Sequence, residues 1–132
     1  MRENMGIYRG KRKDTGEWVE GYLAGYDLIC PGEPQDVSRA TGKYYGETPY
    51  VGFIEVDPNT VGRFTGLPDK NGKRIFEGDI LSLTTSRLHE VKFADGGFHM
   101  EGTAIPIKYA GKFRIIGNIR DNPELLEVTH NE

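Results

Sequence analysis

The chain is 132 residues long, the length of one ordinary domain, with 17 basic and 20 acidic residues for a net charge of -3. Its 18 glycines are roughly twice the usual share and follow no triplet period, which excludes collagen. Each glycine inside a helix costs about 0.8–1.0 kcal/mol relative to Ala, which argues against a helical bundle, while one Trp, seven Tyr and six Phe argue against disorder.

In chain order, Gly6 to Arg12 and Glu17 to Leu23 read as two strands around an Asp14-Thr15-Gly16 turn, a hairpin. From Gly25 to Tyr50 the punctuation is Pro31, Gly32, Pro34, Gly42, Gly46 and Pro49, with little periodicity, so this stretch reads as a long irregular loop with at most short elements. Val51 to Val56 is a strand ended by Asp57-Pro58-Asn59, and Thr60 to Gly66 begins another. Asp69-Lys70-Asn71-Gly72 is the clearest turn, its Asn-Gly pair predicting positive φ at both central positions. Lys73 to Leu83 is a strand entered through a glycine kink, and His89 to Phe93 another. Ala94-Asp95-Gly96-Gly97 turns the chain into Phe98 to Glu101, and Lys112 to Ile119 is the last strand. Asn122 as cap, Pro123 at the first helical position and Glu124 at the positive end of the dipole predict a short carboxy-terminal helix.

The expected fold is mainly β: small SH3-like barrel or sandwich units built from hairpins, with that short helix. Residues 1–24 form an amino-terminal hairpin segment, 25–50 the loop, and 51–132 a barrel-like unit, as one compact domain or two small intertwined ones. The side chains expected inside are Trp18, Val19, Leu23, Phe64, Ile75, Phe76, Ile80, Leu83, Phe93, Ile115, Ile116, Leu125 and Leu126. Gly10 and Gly16 with Trp18 to Leu23 echo Gly66 and Gly72 with Ile75 to Leu81, either a duplicated hairpin or two hairpins with the same turn chemistry.

An ordered set of motifs resembles a known family. Tyr8-Arg9-Gly10-Lys11, Asp14-Thr15-Gly16-Glu17-Trp18-Val19 and Gly21-Tyr22 are followed by Val61 to Leu67, Asp69 to Lys73, Ile75 and Glu77-Gly78-Asp79-Ile80. Ile116-Gly117-Asn118-Ile119 and Asn122-Pro123-Glu124-Leu125-Leu126 complete the set. Together they resemble the YopX family of phage and prophage proteins. The resemblance implies a small phage-encoded protein that assembles with copies of itself. It brings no catalytic residues.

Weighed one by one, the chemical motifs favour structure. Gly66 to Lys73 spaces its glycines one residue too far apart for a phosphate loop and puts Arg74 where Ser or Thr belongs. Glu77 and Asp79, two apart, are a possible carboxylate pair, but Gly78 between them marks a bend and assigns the aspartate to backbone bonding. His89, His99 and His130 are far apart, and Cys30 is the only cysteine, which leaves no disulfide and no expected metal site. The expectation is a non-enzyme without cofactors.

Charge is the remaining signal. Arg2, Arg9, Lys11, Arg12 and Lys13 against Glu3 make the start basic, while Asp121, Glu124, Glu127 and Glu132 make the end acidic. Arg9, Lys11, Arg12 and Lys13, near Tyr8 and Trp18, are candidate contacts to nucleic acid or a partner protein. Tyr26, Leu28, Ile29, Tyr44 and Tyr45 are candidate oligomer contacts. The favoured function is a homo-oligomeric interaction or assembly protein acting on an unidentified phage or host protein. The alternative is a nucleic-acid-associated phage protein using the basic segment. With no leader-like or 18-residue apolar run, no membrane role and a cytoplasmic location are expected.

Overall fold

A computed structural model describes residues 6–31, 53–84 and 87–130. Tyr44, Tyr45 and most of the expected 25–50 loop lie outside the described residues. Contacts divide the chain into two compact units, Met1–Arg63 and Phe64–Glu132.

The first unit is a ring of antiparallel strands. β1 (Ile7–Arg12) turns into β2 (Trp18–Gly25), followed by β3 (Leu28–Cys30) and β4 (Ile54–Pro68). Each pairs with the next, and β4 returns to pair with β1, so these strands close on themselves. The expected hairpin is present, closed by Arg12 N–H on Glu17 O at 2.8 Å and Gly16 N–H on Arg12 O at 2.9 Å. The expected strand break at Asp57-Pro58-Asn59 is instead a bulge inside β4. Arg9 faces Gly62 and Lys11 faces Asp57, so residues 58–61 stand opposite Gly10 alone. A bulge is where a strand tolerates proline. It is pinned by Thr60 Oγ1, which donates to Asp57 O at 2.6 Å and accepts from Lys11 N–H at 2.8 Å. Ile7, Ile29, Cys30 and Val56 fill the interior. Closure is tight: a Cβ on Gly21 would clash with the Cys30 carbonyl oxygen, so only glycine lets β2 approach β3 here.

In the second unit the end of β4 pairs with β5 (Arg74–Phe76), Phe64 facing Phe76 and Pro68 facing Arg74. A four-stranded antiparallel sheet has the order β8-β7-β6-β9, from β6 (Asp79–Ser82), β7 (Leu88–Ala94), β8 (Gly97–Met100) and β9 (Arg114–Asn118). A 3-10 segment (Ile107–Lys112) precedes β9, and α1 (Glu124–His130) follows it. Ile75, Leu81, Val91, Met100, Ala110 and Phe113 form the core. Ile75, Phe76 and Ile80 are buried as expected, but Leu83 and Phe93 are not. Leu83 lies one residue beyond the end of β6 and is 50% exposed; Phe93, near the β7–β8 tip, packs edge-on against Phe98. Trp18, Val19, Leu23, Phe64, Ile115, Ile116, Leu125 and Leu126 are half-buried.

One turn and one cap assignment are corrected. At Asp69 to Gly72 only Gly72 has positive φ, at 85°, whereas the double positive-φ turn sits at Asp95 and Gly96, 55° and 83°, between β7 and β8. Asn122 Oδ1, expected to cap α1, accepts instead from the backbone N–H of Asn118 at 3.2 Å.

The Asp69 turn is built around a buried carboxylate. Oδ1 accepts from Asn71 N–H at 2.8 Å and Lys73 N–H at 2.9 Å, and Oδ2 accepts from Ile115 N–H at 2.9 Å. Burial pushes this carboxyl up, but the three amide donors and the Lys73 charge outweigh it and hold the group below its ordinary value. Its contribution to stability is therefore complete above the unfolded value, falls as the pH drops below that value, and is gone below the lowered folded one. Asp69→Asn should cost about 1–3 kcal/mol, since the amide turns an NH2 toward an N–H. Urea melts from pH 7 to 3 should show the variant losing less stability on acidification than the wild type. Gly72→Val should cost about 1–3 kcal/mol for its strained φ; an unchanged melt contradicts the turn geometry.

Candidate functional site

The basic segment lies on β1 and its turn. In register, Arg9 faces Glu20 and Lys11 faces Trp18 across the hairpin. That pairing brings both cations onto the indole: Arg9 Cζ is 4.5 Å and Lys11 Nζ 5.5 Å from the ring centroid, within cation–π range. Arg12 lays both ends of its guanidinium on Asp14, at 2.9 Å each. Hydrogen bonding to Asp14 raises the Arg12 pKa, and the same bond lowers that of Asp14. Lys13 Nζ reaches Glu55 at 3.2 Å and Asp27 at 3.5 Å, and the bond to Glu55 raises its pKa. Lys13 N–H also donates to Glu55 O, and Val56 N–H to Asp27 O, so the ammonium sits where the hairpin turn, the β2–β3 turn and β4 are already joined by backbone bonds.

The four cations are thus one contiguous group, each in contact with a carboxylate or the indole of its own unit. Tyr26 stands on the β2–β3 turn, 76% exposed, with half-buried Leu28 two residues on; Ile29 is wholly inside the ring. Asp79 is buried and accepts Phe76 N–H at 2.8 Å, the backbone role expected of it. His89 is buried with Nδ1 2.9 Å from the Glu101 carbonyl oxygen, and His99 Nε2 is 3.7 Å from Glu101 Oε1. Among the described residues no three His, Cys, Asp or Glu side chains converge as metal ligands. No described helix is long and apolar enough to cross a membrane.

Residues 7–127 match the family described as YopX protein. The chain belongs to the YopX family. Among curated proteins none matches it. Among solved structures it is similar to protein EF1440 from Enterococcus faecalis, at 27% identity and a TM-score of 0.54, over 90% of this chain and 96% of that one. Within the stretches by which the chain resembles the family, side chains bond to backbone: Asp69 and Asp79 accept backbone amides, Thr65 Oγ1 donates to Ile75 O at 2.8 Å, and Asn118 Oδ1 accepts from the backbone N–H groups of Arg120 and Asp121 at 2.9 Å each.

Three further charged residues, Arg87, Glu90 and Lys92, line a cleft in the second unit that the sequence reading passed over. The signal was present as period-two spacing of Leu88, Glu90 and Lys92 on a strand.

The half-buried indole under two cations makes a spectroscopic prediction. Iodide should quench Trp18 fluorescence more efficiently than caesium, and the difference should shrink as the salt concentration rises. Equal quenching by both ions contradicts the stacked geometry.

Proposed function

We propose that this YopX-family chain is a phage- or prophage-encoded, non-catalytic assembly protein. It works as a homo-oligomer in the cytoplasm of the host cell and engages a phage or host protein. The observation that carries the reading is Tyr26, a large aromatic left 76% exposed on a tight turn that backbone and ionic contacts hold firmly. Rigid, amphipathic aromatics of this kind anchor protein interfaces, where they contribute area at small entropic cost. The nucleic-acid alternative needs cations whose donors reach phosphates. The pairing of Arg12 with Asp14, and of Lys13 with Glu55 and Asp27, sets that use at a disadvantage.

Light scattering after gel filtration at micromolar concentrations should give a multiple of 14.8 kDa. Tyr26→Ser should raise the dissociation constant at least about tenfold without lowering the melting temperature. A mass of 14.8 kDa throughout, or steeply salt-dependent binding to DNA or RNA, overturns the proposal.

A further inference from the structure

The second unit carries a cleft of about 370 Å³ beside β7, near the lower end of the size range of small-molecule sites. Leu88, Glu90 and Lys92 line it from β7, Glu101 from just beyond β8, Leu126 from α1, and Arg87 from just before β7. Alternation along a strand puts residues 88, 90 and 92 on one face, at steps of about 6.6–6.8 Å. Glu101 N–H donates to Glu90 O at 2.8 Å, extending the β7–β8 ladder by one pair, so the two glutamates face each other across it. Like charges directly opposed on a sheet repel. A ligand cation placed between them reverses the sign of that interaction.

Along β7 the order is Leu88, then Glu90 with Glu101 opposite it, then Lys92, and Leu126 lines the same cleft from α1. An α-amino acid carries the three complementary groups, an apolar side chain, an ammonium and a carboxylate, on one carbon. We infer that this cleft binds a free α-amino acid with an aliphatic side chain, its ammonium between Glu90 and Glu101 and its carboxylate on Lys92. Three of the four charges are available for the purpose, and the fourth, Glu101, has His99 Nε2 at 3.7 Å. Arg87, Glu90 and Lys92 have no ion-pair partner among the described residues, whereas Arg12 and Lys13 in the first unit are bound to carboxylates. A bare metal ion fits less well, because Lys92 repels it and two carboxylates leave most of its oxygen shell unfilled. The residues named for the site belong to the second unit, and Tyr26 to the first.

The test is calorimetric and amide-shift titration of the full chain with L-leucine. Saturable binding is expected with a dissociation constant of about 1 mM or tighter, with shifts at residues 88–92 and 101–102. N-acetyl-L-leucine, which lacks the ammonium, and L-leucinamide, which lacks the carboxylate, should bind at least about tenfold more weakly. Glu90→Gln and Lys92→Gln should each weaken L-leucine at least about tenfold while leaving the thermal melt in place. No saturation by about 10 mM, equal affinity for the two blocked analogues, insensitivity to both substitutions, or calcium ion alone saturating the same amides overturns the assignment.

Discussion

The Asp69 carboxylate connects two parts of the second unit that lie far apart along the chain. One oxygen organises the turn between β4 and β5 through Asn71 and Lys73, and the other holds Ile115 on β9. Beside it, Lys70 N–H donates to Phe113 O at 2.8 Å. Ile115 N–H lies on the outer side of β9, the last strand in the sheet order, and Phe113 O immediately precedes that strand. An open edge invites pairing with another chain; here the turn supplies both donor and acceptor to that edge, so a local turn becomes the cover of a distant strand. A carboxylate suits this post because it accepts only, and all three of its neighbours donate.

That role changes how the family signature reads. Asp69, Gly72, Asp79, Asn118 and Asn122 stand in the stretches by which the sequence resembles YopX proteins, and each has a backbone task in this structure. A signature of this kind specifies where the chain turns and which strands meet. Function belongs to sites grafted on a fold; in this chain Tyr26 and the charged residues of the cleft beside β7 stand outside the motifs, and only Leu126 of the named cleft residues lies within them.

Local chemistry was legible in the sequence. The first hairpin, the Asp95-Gly96 turn, the carboxy-terminal helix and the structural assignment of Asp79 all follow from a few adjacent residues. What escaped depends on distant partners. Ile115 lies 46 residues from Asp69, and nothing near Asn71 announces that its φ is set by a carboxylate rather than by Asn-Gly preference. Asn122 sits where a cap belongs, yet its oxygen goes to Asn118, four residues back, because the tight link between β9 and α1 leaves that amide in reach. The echo between the two hairpins resolves the same way. Gly16 and Gly72 both end their turns at positive φ, 78° and 85°, whereas Gly66 and Gly78 also have positive φ and Gly10 and Gly21 do not. Gly10 and Gly21 are extended residues against which neighbours pack closely. The copies share a turn device but not a strand geometry.

Charge asymmetry along a sequence is a weak guide to partners when the fold can consume it. The basic start of this chain suggested an anion-binding face, yet β1 and its turn lie against Asp14, Asp27, Glu55 and Trp18 in the same unit. Exposed pairs of this kind contribute little stability singly; their consequence is that the hairpin presents a nearly balanced surface to anything approaching it. On β7, Glu90 and Lys92 alternate in sign and cancel in any running sum, which hides them from a charge plot. Folding brings Glu101 opposite Glu90 and leaves three of the four charges in the cleft without an ionic partner among the described residues. Charges left unpaired at short range act on a ligand that enters between them, where part of the solvent screening is displaced. The electrostatics available for recognition thus concentrate where the sequence looked neutral.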